Sequence, residues 1–171
     1  MRIQICDFGV GNIASIKWAL RRLGITPTEK GGSSQARILP GVGSFRGALA
    51  TTKGLDKGEM PTLGICLGMQ LFFEASEEAP GVLGLGWLKG EAKRLTSKII
   101  PHKGWNDGYW FDHSFVVAPQ DPEHVLAAFE YEGEVYPAVV GDNGLLGCQF
   151  HPEKSRDKGL EFLERWIGSW S

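Results

Sequence analysis

Short apolar runs alternate along the chain with segments of helical periodicity, which is typical of a sheet covered by helices. The pattern predicts strands at residues 2–6, 25–29, 37–39, 62–65, 109–115, 125–130, 135–140 and 145–150, with one or two more between 84 and 95. It predicts helices at 13–23, 44–53, 67–75 and 156–170. The expected fold is α/β, with a mostly parallel central sheet and helices on both faces.

Length and composition favour one ordinary globular domain over residues 1–171, because 171 residues with 42% apolar content can bury a substantial core. The net charge of −2 gives no reason to expect nucleic acid or a membrane surface as a partner. The chain opens directly with a strand, without a signal peptide or an apolar run long enough to span a bilayer. Three cysteines do not make a complete disulfide framework, so we expect a cytoplasmic protein.

Residues 62–70 carry an apolar run that reaches Gly64, followed by Cys66 two positions later and Gly68 after another two. This is the spacing of a strand-to-helix elbow that presents a nucleophile, with cysteine in place of serine. The turn is tight, so small residues are needed on both sides. At a helix start the dipole favours the thiolate, and the backbone N–H of Leu67 would face a developing oxyanion. The alternative is a buried structural thiol.

A candidate base lies near the end of the sequence. The strand predicted at 145–150 leads into His151, and Glu153 follows two residues later. A cysteine nucleophile needs a base to take its proton, and an imidazole needs a third group to hold its tautomer. A lone histidine is more often a loop or core residue, but together with the elbow it predicts a triad of Cys66, His151 and Glu153.

A competing interpretation comes from residues 9–14, which match G-x-G-x-x-A after a strand, with Glu29 near the position of a ribose-binding acid. Alone, this pattern suggests a dinucleotide site. The chain is short, however, for a dinucleotide-binding domain with an additional substrate domain, so we disfavour this interpretation.

Four motifs follow one another along the chain, at residues 40–43 (Pro-Gly-Val-Gly), 64–70 (Gly-Ile-Cys-Leu-Gly-Met-Gln), 101–106 (Pro-His-Lys-Gly-Trp-Asn) and 149–155 (Gln-Phe-His-Pro-Glu-Lys-Ser). Together they resemble the class I, or triad, glutamine amidotransferases, and most closely the glutaminase subunits of imidazole glycerol phosphate synthase. The resemblance runs from Asp7 to Ser155. It implies a three-layer, flavodoxin-like fold in which the late strands at 125–130 and 135–140 form an antiparallel hairpin.

The resemblance also implies an activity. L-glutamine would be hydrolysed to glutamate and ammonia through a thioester on Cys66, and a cyclase subunit would receive the ammonia in a heterodimer of histidine biosynthesis. No metal or cofactor is expected, because no Cys and His cluster has ligand spacing. The same motifs leave two alternatives open. One is a glutaminase subunit of a related synthase, for instance in modified-sugar synthesis, and the other is a non-catalytic binding module.

Further residue roles rest on the resemblance alone. The second oxyanion donor would be the amide of Val42 or Gly43. The substrate-binding residues would be Gly41, Gln70, His113 and Ser114. The partner interface and ammonia tunnel would involve Asn12, His102, Lys103, Trp105 and Asn106. The chain departs from the family at Lys103, usually methionine, at Phe115, usually tyrosine, and in its shorter connections at 45–61 and 106–113.

Overall fold

The computed structural model describes residues 1–9, 13–29, 32–52 and 54–171. Its strands are β1 (Arg2–Ile5), β2 (Thr26–Thr28), β3 (Ala36–Leu39), β4 (Thr62–Ile65), β5 (Ala75–Ser76), β6 (Gly90–Arg94), β7 (His102–Asn106), β8 (Tyr109–His113), β9 (Phe115–Pro119), β10 (Val125–Tyr131), β11 (Glu134–Asp142) and β12 (Leu145–Cys148). Its α-helices are α1 (Ala14–Arg22), α2 (Phe45–Thr51), α3 (Leu67–Gln70) and α4 (Arg156–Gly168). Within the described ranges, no helix is long and apolar enough to cross a membrane.

Seven strands form the central sheet in the order β10-β11-β12-β4-β3-β1-β2. The five strands from β12 to β2 are parallel to one another. β10 and β11 are antiparallel to each other, and β11 is antiparallel to β12. The mostly parallel sheet and the late hairpin are therefore confirmed. Two smaller sheets, β5-β6-β9 and the β7-β8 hairpin, lie outside it.

Two apolar clusters show that the central sheet is covered on both faces. One cluster joins Ile16 and Leu20 of α1 and Leu163 and Trp166 of α4 to sheet residues such as Ile38. The second cluster joins α2 and α3 to the other face and to strand β9, and its members include Phe45, Met69, Leu39, Val140 and Val117. Helices on both faces are thus confirmed.

The helix predicted at residues 67–75 ends already at Gln70. The next residues turn back by i→i+3 hydrogen bonds, from Phe72 N–H to the Met69 carbonyl (3.1 Å) and from Phe73 N–H to the Gln70 carbonyl (3.2 Å). Leu71, Phe72 and Phe73 are all fully buried. Three consecutive apolar side chains cannot share one helix face. The helix therefore ends before these residues, whereas periodicity alone predicts that it continues to residue 75.

The strand predicted at 109–115 is two strands that meet at Ser114. β8 pairs with β7, and β9 pairs with β6. The apolar pattern did not predict β7, because its histidine, lysine, glycine and asparagine do not alternate with apolar residues. Residues 84–95 contain one strand, β6.

Register places three of the four motifs near one another. In the parallel sheet Leu39 pairs with Gly64, and Cys148 pairs with Ile65. The residues that follow each of these strands therefore emerge at one carboxyl edge. Loop 40–43, Cys66 and residues 149–151 share that edge, which is where ligands bind in open α/β sheets.

Candidate active site

Cys66 occupies a strained turn between β4 and α3. Its backbone angles are φ 48° and ψ −103°, a combination that side chains rarely adopt and that costs about 1–3 kcal/mol. The turn is held by a hydrogen bond from Cys66 N–H to the Cys148 carbonyl (2.7 Å) and by one from Gln70 N–H to the Cys66 carbonyl (3.2 Å). The predicted elbow is present, and Cys66 is 4% exposed.

Two glycines let this elbow close. A Cβ added to Gly64 would lie 2.6 Å from the carbonyl carbon of Gly68. A Cβ added to Gly68 would lie 2.1 Å from the carbonyl oxygen of Leu39, on the neighbouring strand. The small residues on each side of Cys66 are therefore required by backbone contacts.

His151 lies between Cys66 and Glu153. Its Nδ1 is 2.8 Å from Glu153 Oε1, and both side chains are buried. Burial lowers the pKa of His151, but hydrogen bonds with Cys66 and Glu153 and the negative charge of both groups outweigh burial and raise it to about 10. The arrangement favours an imidazolium beside the sulfur, which is the protonation state that a cysteine nucleophile needs.

Ser155 fixes the backbone of the histidine segment, a role that the sequence did not indicate. Its buried Oγ donates to the His151 carbonyl (2.6 Å) and accepts from Trp110 N–H (2.9 Å). His151 N–H in turn donates to the Trp110 carbonyl (2.8 Å). The available signal was a serine four residues after the candidate base, which is too common a pattern to be informative.

The loop at 40–43 lies directly against the triad. A Cβ on Gly41 would lie 2.8 Å from His151 Cε1 and 3.0 Å from Cys66 Cβ, so only glycine fits. Gly43 has φ +110°, which also favours glycine. Of the predicted oxyanion donors, Gly43 and Leu67 line the cavity at Cys66, whereas Val42 is not among the described lining residues. The choice between the Val42 and Gly43 amides stays a prediction.

A cavity of about 300 Å³ opens beside the sulfur. It is lined by Gly41, Gly43, Cys66, Leu67, Gln70, Glu78, Pro101, Asp112, His113, Ser114 and Phe115. All four predicted substrate-binding residues are in this set, and the volume is at the lower end for small-ligand sites. A larger cavity of about 490 Å³ lies between β8, the β10–β11 hairpin and α4, but no triad residue lines it.

Glu78 lines the active-site cavity and was missed at the sequence level. Its Oε1 accepts a hydrogen bond from Phe45 N–H (3.1 Å), at the start of α2. It stands eight residues beyond Gln70 in a segment with two other carboxylates, Glu74 and Glu77, so the sequence alone did not distinguish it.

Both ring nitrogens of His113 have hydrogen-bond partners. Its Nδ1 is 2.9 Å from the Phe115 carbonyl, and its Nε2 is 3.0 Å from His102 Nδ1. The Phe115 carbonyl can only accept, so His113 Nδ1 carries the proton and its Nε2 accepts from His102. Burial lowers the pKa of His113 to about 3. With no free ring nitrogen, His113 is a poor candidate for the base. Gln70 Nε2 donates to the same Phe115 carbonyl (3.2 Å).

The predicted interface residues have different environments. Trp105 is 48% exposed, and the guanidinium of Arg156 lies 4.9 Å from its ring centre. Lys103 is exposed and pairs with Asp112 (3.4 Å). Asn106 Nδ2 donates to the Glu130 carbonyl (2.7 Å). These three can face a partner.

His102 differs, because it is 3% exposed and stacks on Tyr131 with ring centres 3.9 Å apart. Its ring is enclosed by aromatic neighbours, and its assignment to the partner interface or ammonia tunnel stays a prediction. Asn12 lies outside the described residues.

Two further site types concern a metal ion and a dinucleotide. Across ranges 1–9, 13–29, 32–52 and 54–171, no group of three or more His, Cys, Asp or Glu side chains is arranged to hold a metal ion. For the dinucleotide interpretation, Glu29 forms an ion pair with Lys17. Part of that pattern, residues 10–12, falls outside the described ranges.

Comparison with known proteins gives consistent results. The family model of class-I glutamine amidotransferases matches residues 5–167. The imidazole glycerol phosphate synthase subunit HisH of Methanopyrus kandleri is 43% identical, and the alignment covers 95% of this chain and 96% of that protein. HisH of Geobacillus kaustophilus is 40% identical, covering 97% and 96%. HisH of Thermotoga maritima is 35% identical, covering 98% and 96%.

Solved structures share the fold. A crystal structure of a glutamine amidotransferase superposes with a TM-score of 0.63 at 21% identity, covering 97% of this chain and 98% of that one. The structure of PurLQS from Thermotoga maritima gives a TM-score of 0.68 at 18% identity, covering 99% and 98%. At these identities the likeness concerns the fold alone.

Proposed function

The chain belongs to the class I glutamine amidotransferase family and corresponds to the glutaminase subunit of imidazole glycerol phosphate synthase, and from that premise we propose that Cys66, His151 and Glu153 hydrolyse L-glutamine at the carboxyl edge of the sheet. The observation that carries this assignment of roles is the position of His151, which lies beside Cys66 at Gly41 and has its Nδ1 2.8 Å from Glu153 Oε1.

In the first half of the reaction the Cys66 thiolate attacks the side-chain carboxamide carbon of glutamine. The carbonyl oxygen becomes an oxyanion, which the amides of Leu67 and of Val42 or Gly43 stabilise. The carbon–nitrogen bond then breaks, and His151 gives its proton to the leaving nitrogen, which departs as ammonia. The carbon stays bound to Sγ as a γ-glutamyl thioester.

In the second half water attacks the thioester carbon while His151 takes a proton from it. The carbon–sulfur bond breaks, glutamate leaves, and Cys66 returns to thiolate beside a protonated His151. Glu153 accepts a hydrogen bond from His151 Nδ1 throughout, which fixes the ring and stabilises its charged form. The Glu78 carboxylate, which lines the cavity, is suited to the α-ammonium group of the substrate.

The ammonia is passed to a cyclase subunit in this proposal. The relatives are named as subunits of a synthase, and the described residues include an exposed aromatic and basic surface at Trp105, Lys103 and Arg156. Aromatic residues and arginine are the types enriched in protein interfaces. All three cysteines are unpaired, which suits the reducing cytoplasm where we place the complex.

The test is glutamate release by the full chain, alone and with the cyclase subunit and its ligand, together with labelling by a glutamine-mimicking electrophile. We expect turnover to depend on the partner, because a loop flanked by glycines can turn its amide away from the oxyanion at little cost. Loss of one oxyanion donor slows turnover by about two to three orders of magnitude.

Cys66→Ala should abolish both glutamate release and labelling. Cys6 and Cys148 are the built-in controls, since both are buried and burial raises the pKa of each thiol, that of Cys6 to about 11. Label on Cys6 or Cys148 with Cys66 unmodified would overturn the assignment of the nucleophile.

A further inference from the structure

Gln149 is the residue beside Cys66 on the neighbouring strand end. Cys148 pairs with Ile65 in the parallel register, so the next residues along, Gln149 and Cys66, are side by side at the sheet edge. The Gln149 side chain is fully buried, and its Nε2 lies 3.5 Å from Cys66 Sγ. Its backbone is fixed by a hydrogen bond from Gln149 N–H to the Ala138 carbonyl (2.9 Å).

Packing does not explain an amide at this position. Gln149 Oε1 is buried and has no hydrogen-bond partner among the described residues. A buried acceptor without a partner costs stability, whereas a methionine of similar size would fill the same space without that cost. An amide retained at such a cost, with its NH₂ directed at the nucleophile, points to chemistry at the sulfur.

The surroundings of Cys66 Sγ contain groups suited to each protonation state. The Asp112 carbonyl, 3.8 Å from the sulfur, can accept from the thiol. A thiolate only accepts, and among the described side chains the donors beside it are the His151 imidazolium and the Gln149 amide. In the second half of the reaction His151 faces the attacking water while the carbon–sulfur bond breaks, so a second, permanent donor is needed for the departing thiolate.

We propose that Gln149 is a catalytic residue that donates an N–H hydrogen bond to the Cys66 thiolate. This inference rests on the proposed glutaminase function of the same site. Gln149 stabilises the attacking thiolate before the sulfur–carbon bond forms. It stabilises the same thiolate again as leaving group, when that bond breaks and its electron pair returns to Sγ.

The experiment compares the full chain with Gln149→Met and with the matched control Gln35→Met. Gln35 precedes β3 at the opposite, amino edge of the sheet, where its Oε1 accepts from Arg2 N–H. Two quantities are measured: the rate of Cys66 alkylation by iodoacetamide as a function of pH, and kcat for glutamate release with the partner subunit present. Thermal unfolding is recorded for each variant.

For Gln149→Met we expect alkylation at pH 7 and kcat to fall about 10- to 100-fold, the effect of one hydrogen bond to a charged group. The pH of half-maximal alkylation should rise by about one to two units. The melting temperature should stay equal or increase, because the unpartnered oxygen is removed. Gln35→Met should leave alkylation and kcat as in the unmodified chain.

An unchanged alkylation profile would overturn the proposal, as would a fall in kcat accompanied only by lower stability. Should Gln149→Met fail to fold, Gln149→Leu removes the donor without adding a charge; slower alkylation would support the proposal, and an alkylation rate equal to that of the unmodified chain would overturn it. Failure of the proposed function looks different, since the unmodified chain would then neither release glutamate nor react at Cys66.

Discussion

At the scale of single residues, the candidate triad depends on one charged hydrogen bond in a buried setting. Burial by itself lowers the pKa of His151, and the hydrogen bonds and charges of Cys66 and Glu153 reverse that effect. Glu153 is nearly as buried as the histidine, so solvent screens the pair only weakly. Removing either partner should therefore change the protonation state that the reaction uses.

We expect His151→Ala to remove nearly all glutaminase activity and Glu153→Gln to cost less, because the orienting group does not itself transfer the proton. In a comparable serine-enzyme triad the base is worth about 10⁶-fold in kcat and the orienting acid about 10⁴-fold. Steady-state glutamate release in the complex with the partner measures both. His113→Ala is the comparison: near-normal turnover in His151→Ala, with loss in His113→Ala, would mean that the base is His113.

At the scale of elements, the elbow at Cys66 depends on close contacts between three backbone segments, at β3, β4 and the start of α3. The start of α3 lies so close to β3 that the Leu39 carbonyl occupies the space of a side chain at Gly68. The same closeness brings loop 40–43, which follows β3, against Cys66 and His151. The distance between β3 and α3 thus determines the position of loop 40–43.

Gly68→Ala should destabilise the protein by about 3 kcal/mol and lower activity, because the new methyl group can be accommodated only by moving backbone. Gly168→Ala is the matched control, since its Cβ meets nothing within 4 Å at the exposed end of α4. We expect the control to be equally or more stable, by at most about 1 kcal/mol. Denaturant unfolding measures both, and equal stability of the two variants would contradict the packing argument.

At the scale of the whole molecule, a pair of buried histidines connects the smaller sheets to the active-site cavity. His102 lies on β7, His113 ends β8, and the Phe115 carbonyl that His113 contacts begins β9. Both histidines have a lowered pKa because they are buried. The hydrogen bond between them needs at least one neutral ring, because two protonated rings offer no acceptor.

This pair predicts a pH-dependent stability. The pKa of His113 is about 3 in the folded chain, against an ordinary value of 6.5. Between these two pH values the unfolded chain therefore binds about one proton more than the folded chain. The contribution of neutral His113 to the free energy of unfolding is complete above pH 6.5 and is lost as the pH falls toward 3. Over this range the free energy of unfolding falls by up to about 1.4 kcal/mol per pH unit. The free energy of unfolding, measured by denaturant at several pH values, tests this.

His113→Gln should flatten that slope by about one proton, because the group that titrates is gone. Ser114→Ala, a change at the next residue of the same cavity with no titratable group, should keep the slope of the unmodified chain. A slope in His113→Gln as steep as in the unmodified chain would show that other groups cause the acid sensitivity.

The features that the sequence by itself determined are those with local physical causes. The spacing of Gly64, Cys66 and Gly68 defines a tight turn wherever it occurs, and the apolar runs define the parallel strands. The order of motifs also identified the family, and with it several of the residues that line the cavity, among them Gly41, Gln70, His113 and Ser114.

Only the tertiary structure decided which distant groups meet. The register of β12 against β4 brings the Gln149 amide to Cys66 Sγ, and that of β3 brings Gly41 to His151. The burial of His102 and the early end of α3 were likewise invisible in the sequence, because both depend on side chains from other elements. Periodicity reports one element at a time, whereas pairing, burial and hydrogen bonds between elements depend on the register of strands far apart in the chain.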